Sequence, residues 1–176
     1  MTKRKVILYI ATSLDGYIAK PNDDLSFLSL VQETGEDYGY DDLKQSIDTV
    51  IMGRKTFDWV MKQIGHVPHP DTNTFIITRT KRPAIGKTTF YTGNLEELVR
   101  QLKTQEGKHI YCDGGAEIVT QLLNKKLIDE IILSIVPILL GEGTRLFKDG
   151  RPEQELTLVS AKSFQSGLSQ LHYVTK

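Results

Sequence analysis

The chain has 176 residues, of which 39% are hydrophobic and 25% are charged. This composition argues against a largely disordered or fibrous chain, and the length favours one domain over residues 1–176. The 22 Lys and Arg residues balance the 22 Asp and Glu residues, so the formal net charge is zero. A strongly basic nucleic-acid binder is therefore not expected.

Cysteine content and apolar patterning indicate the cellular compartment. The single cysteine, Cys112, excludes an internal disulfide and a zinc site built on several cysteines of this chain, which fits a reducing compartment. The apolar run Val6–Ala11 briefly resembles a signal peptide but stops at Thr12. The longest apolar stretch, Ile131–Leu140, has about half the length that spans a bilayer. We therefore expect a cytoplasmic protein with no membrane partner.

Short apolar segments alternate with amphipathic ones along most of the chain. The segments predicted as strands are Val6–Ala11, Thr49–Met52, Thr74–Thr78, His109–Cys112 and Glu130–Leu140. The segments predicted as helices are Asp41–Ile47, Thr56–Ile64, Leu95–Lys103 with Asn94 as its cap, and Ala116–Leu123. The end of the chain changes character, since Glu155–Gln165 and Leu168–Thr175 are typical of a hairpin. The pattern predicts a three-layer α/β fold with a mostly parallel sheet and an antiparallel C-terminal hairpin.

A glycine joins the second predicted strand to the helix that follows it. Gly53 ends the strand, and Arg54, Lys55 and Thr56 open the helix. Glycine lets a ligand approach the backbone, and a helix N-terminus offers free N–H groups and a positive dipole end to a phosphate. The basic pair and the hydroxyl suit the same ligand, although a plain turn with a solvated basic pair has the same pattern.

Two further strand ends carry residues that suit a phosphate. Gly114-Gly115 separates a buried strand from a helix, and Thr78-Arg79-Thr80 offers hydroxyl and guanidinium donors. Each is weak alone, but ligands gather where parallel strands end, so the junctions together favour a binding site. The sequence contains neither G-x-G-x-x-G nor a Walker A motif. His66 and His69 lie in a proline-rich loop without a cysteine, where we expect an exposed turn and no metal site.

These segments resemble the dihydrofolate-reductase-like superfamily over nearly the whole chain. Met52–Thr56 matches its cofactor-binding M-G-R-x-T segment, and Ile77–Arg79 is similar to the strand end that holds the adenosine 2′-phosphate. The closer resemblance is to the riboflavin-pathway reductase branch, the C-terminal domain of a bifunctional deaminase-reductase. Ser13–Gly16 resembles its S-L-D-G opening, and Asp113-Gly114-Gly115 resembles its acidic-G-G turn.

The resemblance implies an eight-stranded sheet, NADPH as the cofactor and, commonly in that branch, a homodimer. It implies that Ala11 and Ile18 line the nicotinamide and that Thr78 and Arg79 face the adenosine end. It also implies that the two glycine turns hold the pyrophosphate through Gly53, Arg54, Lys55, Thr56, Gly114, Gly115, Ala116, Glu117 and Ile118.

The sequence departs from the substrate-binding patterns of both branches. The riboflavin reductases carry a T-x-x-x-D-D-P run, whereas Thr56 is followed here by Phe57–Lys62. The folate enzyme has a Trp just before its substrate helix, and Leu25–Leu30 contains none. Asp37 lies at a spacing before Gly53 comparable to that of the folate enzyme's carboxylate, with Glu36, Asp41 and Asp42 as rivals.

We therefore predict an NADPH-dependent reductase that transfers a hydride to a small heteroaromatic or imine-like substrate, similar to 5-amino-6-(5-phosphoribosylamino)uracil reductase. Reduction of a C=N bond also needs a proton, which requires a carboxyl group with a raised pKa or a water molecule. Asp37 is the candidate acid, and Asp15 is expected to fix the loop before Gly16. Two alternatives stay open: a genuine dihydrofolate reductase, and a protein that binds a dinucleotide without turning over a substrate.

Overall fold

An eight-stranded sheet forms the centre of the computed structural model, which describes residues 3–32 and 35–176. The strands are β1 (Val6–Ser13), β2 (Tyr17–Ala19), β3 (Ile47–Gly53), β4 (Asn73–Ile77), β5 (Thr88–Tyr91), β6 (His109–Gly114), β7 (Glu130–Val136), β8 (Thr144–Arg145), β9 (Leu156–Ser163) and β10 (Ser169–Thr175). The sheet order is β5-β4-β3-β6-β1-β7-β10-β9, and β2 pairs separately with β8. The first six strands of this order are parallel to one another. The strand β10 pairs antiparallel with β7 on one side and with β9 on the other. The predicted fold class is confirmed.

Helices cover both faces of the sheet. They are α1 (Tyr40–Ser46), α2 (Arg54–Ile64), α3 (Leu95–Thr104) and α4 (Ala116–Asn124), with 3-10 turns at Pro21–Asp23 and Ser26–Val31. Ile51 packs with α3 and α4 on one face, whereas its neighbours Val50 and Met52 pack with α1 and α2 on the other. A strand covered on both faces reads as a continuous apolar run, which is why β3 shows no alternation in the sequence.

The predicted strand Glu130–Leu140 is too long, because β7 ends at Val136. Pro137 has no backbone N–H to continue the ladder. The chain turns there and is held by the Leu14 amide, which donates to the Ile138 carbonyl oxygen at 2.8 Å. The four-residue edge strand β5 was not predicted from the sequence. Within 3–32 and 35–176, no helix has the length and apolar character needed to cross a membrane.

Candidate functional site

The two predicted glycine turns lie against each other at one edge of the sheet. Met52 of β3 pairs with Gly114 of β6, so both strands end at the same level. A Cβ atom added to Gly53 would lie 3.2 Å from Ile118 Cγ1, and one added to Gly115 would lie 3.0 Å from Thr56 Oγ1. Both turns therefore approach so closely that side chains larger than hydrogen are disfavoured. Gly114 has φ +99°, which also favours glycine, and the Gly114-Gly115 peptide bond is cis.

Each glycine turn leads directly into a helix. Gly53 precedes α2 and Gly115 precedes α4, and no side chain caps either N-terminus. The first N–H groups of both helices are therefore available to an anion, and the positive ends of two helix dipoles lie side by side. Ala116 and Ile118 are buried, and the Ile118 side chain lies against the Gly53 turn, whereas Lys55 and Glu117 are exposed.

Three arginines follow the ends of β3 and β4, which are paired through Gly53 and Ile77. Asp58 Oδ2 lies 2.5 Å from Arg54 Nη1, and Asp58 Oδ1 lies 2.9 Å from Arg82 Nη1. Burial raises the pKa of Asp58, but the hydrogen bonds and charges of Arg82 and Arg54 outweigh it and leave that pKa below its usual value. Arg79 is exposed and forms no ion pair with any residue that the structure describes.

The structure adds two details to this group of arginines. Thr78 Oγ1 accepts a hydrogen bond from the Thr80 amide at 3.2 Å, so the hydroxyl is part of the turn and is not entirely free for a ligand. Arg82 was not singled out from the sequence. The sequence signal for Arg82 was weak: it continues the basic segment that contains Arg79 and Lys81, and it directly precedes Pro83.

The loop after β1 is fixed by Asp15. Ser13 Oγ donates to Asp15 Oδ1 at 2.6 Å, and the Leu140 and Gly141 amides donate to the same carboxylate at 3.0 and 2.7 Å. The Ser13 bond, and then the two backbone bonds, lower the pKa of Asp15 to about 2. Asp15 thus ties the S-L-D-G segment to the loop after β7, in agreement with the role predicted for it.

An open pocket of about 380 Å³ lies beside Ala11, on the face of the sheet that carries α1. Its floor includes Tyr9 and Ala11 of β1 and Ser134 of β7, and Ala11 and Ser134 are paired in register. The other lining residues are Leu28, Val31, Gln32, Glu36, Asp37, Tyr38, Tyr40 and Leu168. Ile10, the neighbour of Tyr9, would lie 3.6 Å from a Cβ atom on Gly114, so the strand under the pocket also adjoins the glycine turns. Ile18 lies elsewhere, half buried against the core of α3 and α4.

Asp37 lines this pocket, but its environment favours the charged form. The Gly39 amide donates to Oδ1 at 3.0 Å and the Asp41 amide donates to Oδ2 at 2.8 Å. These two bonds hold the pKa of Asp37 below its usual value, and the bond from the Asp41 amide has the larger effect. A proton donor at neutral pH needs the opposite shift.

Tyr9 is a further titratable group in the pocket, and it was not predicted. Its hydroxyl donates to the Tyr38 carbonyl oxygen at 3.2 Å. Burial, and then the nearby charge of Asp37, raise the pKa of Tyr9 to about 12, so the hydroxyl keeps its proton at neutral pH. The only sequence signal was an aromatic residue in an otherwise aliphatic strand, two positions before Ala11.

The expectation for the proline-rich loop is wrong at His69. Its side chain is only 14% exposed, and Nε2 lies 3.1 Å from Asp113 Oδ2. Tyr111 donates to the other oxygen of Asp113 at 2.8 Å. His69 therefore holds the loop against the end of β6. Within residues 3–32 and 35–176, no three His, Cys, Asp or Glu side chains lie close enough to hold a metal ion.

The fold and the paired glycine turns define a domain of the dihydrofolate-reductase-like type. The family model described as RibD C-terminal domain matches residues 4–169, and the chain belongs to that family. The chain is 36% identical over 173 residues to the uncharacterized protein YwjB of Bacillus subtilis (strain 168), covering 98% of both chains.

Solved structures share the fold. A protein from Shewanella sp. PV-4 that is named for riboflavin biosynthesis is 29% identical, with a TM-score of 0.88 over 98% of this chain and 99% of that one. Dihydrofolate reductase from Enterococcus faecalis, complexed with NADP(H), is 15% identical, with a TM-score of 0.68 over 98% and 96%. A diaminohydroxyphosphoribosylaminopyrimidine deaminase/5-amino-6-(5-phosphoribosylamino)uracil reductase from Thermotoga maritima is 14% identical, with a TM-score of 0.72 over 99% and 57%. At these last two identities the likeness shows the fold alone.

Proposed function

We propose that this protein is an NADPH-dependent reductase of a small heteroaromatic or imine-like compound. The observation that carries the proposal is the contact of two glycine turns, each opening an uncapped helix, next to the strand β1 that also forms the floor of an open pocket. Two adjacent helix N-termini suit a pyrophosphate, and the pocket offers room for a second ligand. The RibD C-terminal domain match and the NADP(H)-bound relative of the same fold support this assignment.

The residues of the two turns have separate tasks in the proposed cofactor site. The backbone N–H groups after Gly53 and Gly115 bind the pyrophosphate, with Thr56 between them. Arg54 and Arg79, together with the Thr78 turn, bind the adenosine 2′-phosphate. Ala11, at the floor of the pocket, gives the nicotinamide a flat surface because its side chain is small.

When bound, NADPH supplies the hydride. The carbon of the substrate's C=N bond accepts this hydride, and the nitrogen accepts a proton, leaving NADP⁺ and the reduced amine. Tyr9 lies in the same pocket, but a pKa raised to about 12 makes its hydroxyl a weak acid. We therefore assign the proton to a water molecule that the Tyr9 hydroxyl binds. Asp37 was the acid predicted from the sequence; its lowered pKa suits a charged group that binds substrate N–H groups instead.

The test is an NADPH-oxidation screen over pterins, pyrimidines, imines and ribosylaminopyrimidines. Turnover with any of them that is abolished in Gly115→Val, while the variant stays folded, supports the proposal. Oxidation of dihydrofolate that methotrexate blocks would favour a true dihydrofolate reductase. NADPH binding without turnover on the whole panel would favour a dinucleotide-binding protein. The homodimer implied by the resemblance stays a prediction, which sedimentation velocity measures.

A further inference from the structure

The charged side chains that line the pocket beside Ala11 in the described part of the chain are acidic. They are Glu36 and Asp37, and no Lys or Arg lines it among the residues that the structure describes. Both carboxylates are held in place by the backbone: the Tyr38 amide donates to Glu36 at 2.8 Å, and Asp37 accepts the two bonds described above. Both residues are exposed, so the two carboxylates hold defined positions at the solvent side of the pocket.

The cations near this pocket are engaged or lie outside its lining. Lys44 Nζ lies 2.6 Å from Asp41 Oδ1 and 5.1 Å from the centre of the Tyr40 ring. Lys162 lies on β9, directly opposite Gln170, and is exposed. Gln170 itself donates to the Tyr38 carbonyl oxygen at 2.9 Å and to Ser134 Oγ at 3.1 Å, so it supports two residues of the pocket lining without adding charge.

The basic residues of the proposed site lie at its other end. Arg54 and Arg79 follow β3 and β4, whereas the pocket lies over β1 and β7. The strand β6 separates these pairs in the sheet. The cations are thus placed for the phosphates of the cofactor, and a phosphate on the substrate would meet carboxylates and tyrosines.

From this charge distribution we propose that the substrate is an unphosphorylated, uncharged or cationic nitrogen heterocycle or cyclic imine. Its N–H groups donate to Asp37 and Glu36, and its ring packs on the apolar side chains of Leu28, Val31 and Leu168. This inference rests on the proposed function, because it assigns the pocket to the substrate. It separates the chain from the Thermotoga maritima reductase, whose name specifies a phosphoribosyl compound.

A matched pair of compounds tests the inference: 5-amino-6-(5-phosphoribosylamino)uracil and the same compound without its 5′-phosphate. Titration calorimetry in the presence of NADP⁺ gives the Kd of each, and NADPH oxidation gives kcat/KM. We expect the unphosphorylated compound to bind at least about tenfold more tightly. Gln32→Lys places a cation in the pocket wall and should narrow that preference, whereas Gln101→Lys on exposed α3 is the matched control and should leave it unchanged.

Each outcome decides something. Equal or tighter binding of the phosphorylated compound overturns the inference. If Lys162→Ala then weakens the binding of the phosphorylated compound, Lys162 is the cation that binds its phosphate. Failure of both compounds to bind at millimolar concentration also overturns it. If Gln32→Lys does not reduce the preference for the unphosphorylated compound, the electrostatic basis of the inference is wrong. If the unphosphorylated compound binds more tightly but no NADPH is oxidised with it, the inference stands and the proposed reductase function fails.

Discussion

Arg79→Ala should weaken the binding of NADPH but not that of NADH. The two cofactors differ by the 2′-phosphate, a group with close to two negative charges at neutral pH. Arg54 and Arg82 share the carboxylate of Asp58, so the three arginines and this aspartate carry a net charge of two, half of which Arg79 supplies. A charge-assisted hydrogen bond contributes about 1.5–3 kcal/mol. Because Arg79 is exposed, we expect the lower end, which is roughly a tenfold weaker NADPH Kd.

Fluorescence titration of NADPH and NADH into the wild-type protein and three variants gives the Kd of each cofactor. Arg79→Ala should weaken NADPH and leave NADH nearly unchanged, and Arg54→Ala should have a smaller effect because Asp58 already neutralises part of its charge. Arg100→Ala is the control, since Arg100 is exposed on α3 and paired with Glu96. Equal losses for NADPH and NADH would place Arg79 on the shared pyrophosphate. No loss would refute the assignment of the adenosine end to β4.

Three further substitutions test the rest of the site. Gly115→Ala should weaken NADPH binding about tenfold because the new Cβ meets Thr56 Oγ1, and an unchanged NADPH Kd contradicts the steric explanation. Tyr9→Phe should lower kcat by about 10²-fold with an unchanged NADPH Kd, because the water that supplies the proton loses its partner, and an unchanged kcat would exclude Tyr9 from the proton transfer. Asp15→Asn should lower the melting temperature at neutral pH. Since the folded pKa of Asp15, about 2, lies below the ordinary 3.8, its stabilisation is present above pH 3.8 and should disappear as the pH falls towards 2. Asp149→Asn is the exposed control, and a gap from wild type that persists unchanged at pH 2 would contradict the linkage.

The features that the sequence predicted best are those set by neighbouring residues. The apolar run of β3, the glycine after it and the helix that follows are all encoded within Thr49–Ile64. The Asn94 cap is equally local, and its side chain accepts the Glu97 amide at 3.2 Å as the capping pattern predicts. Such patterns place the strands, and parallel pairing then brings their carboxyl ends to one edge.

The features that the sequence did not predict depend on residues that are far apart along the chain. The His69–Asp113 pair joins positions 44 residues apart, and the Arg82–Asp58 pair joins positions 24 apart. The raised pKa of Tyr9 arises from burial and from Asp37, which reaches the pocket on a different element. Patterns in a single sequence carry no information about such long-range contacts, so the two glycine turns could be predicted from the sequence and the environment of the pocket residues could not.

Thermal unfolding with increasing NADPH tests the central claim most directly. A ligand that binds only the folded state stabilises it by about 2.7 kcal/mol at 100 times its Kd, which for a chain of this size is a shift of several degrees in Tm. We predict a Tm that rises steadily with NADPH, rises less with NADH, and rises about half as much in Gly115→Ala, because a tenfold weaker Kd lowers the stabilisation to about 1.4 kcal/mol at the same concentration. A Tm that stays flat up to millimolar NADPH in the wild-type protein would contradict the assignment of a cofactor site to the paired glycine turns.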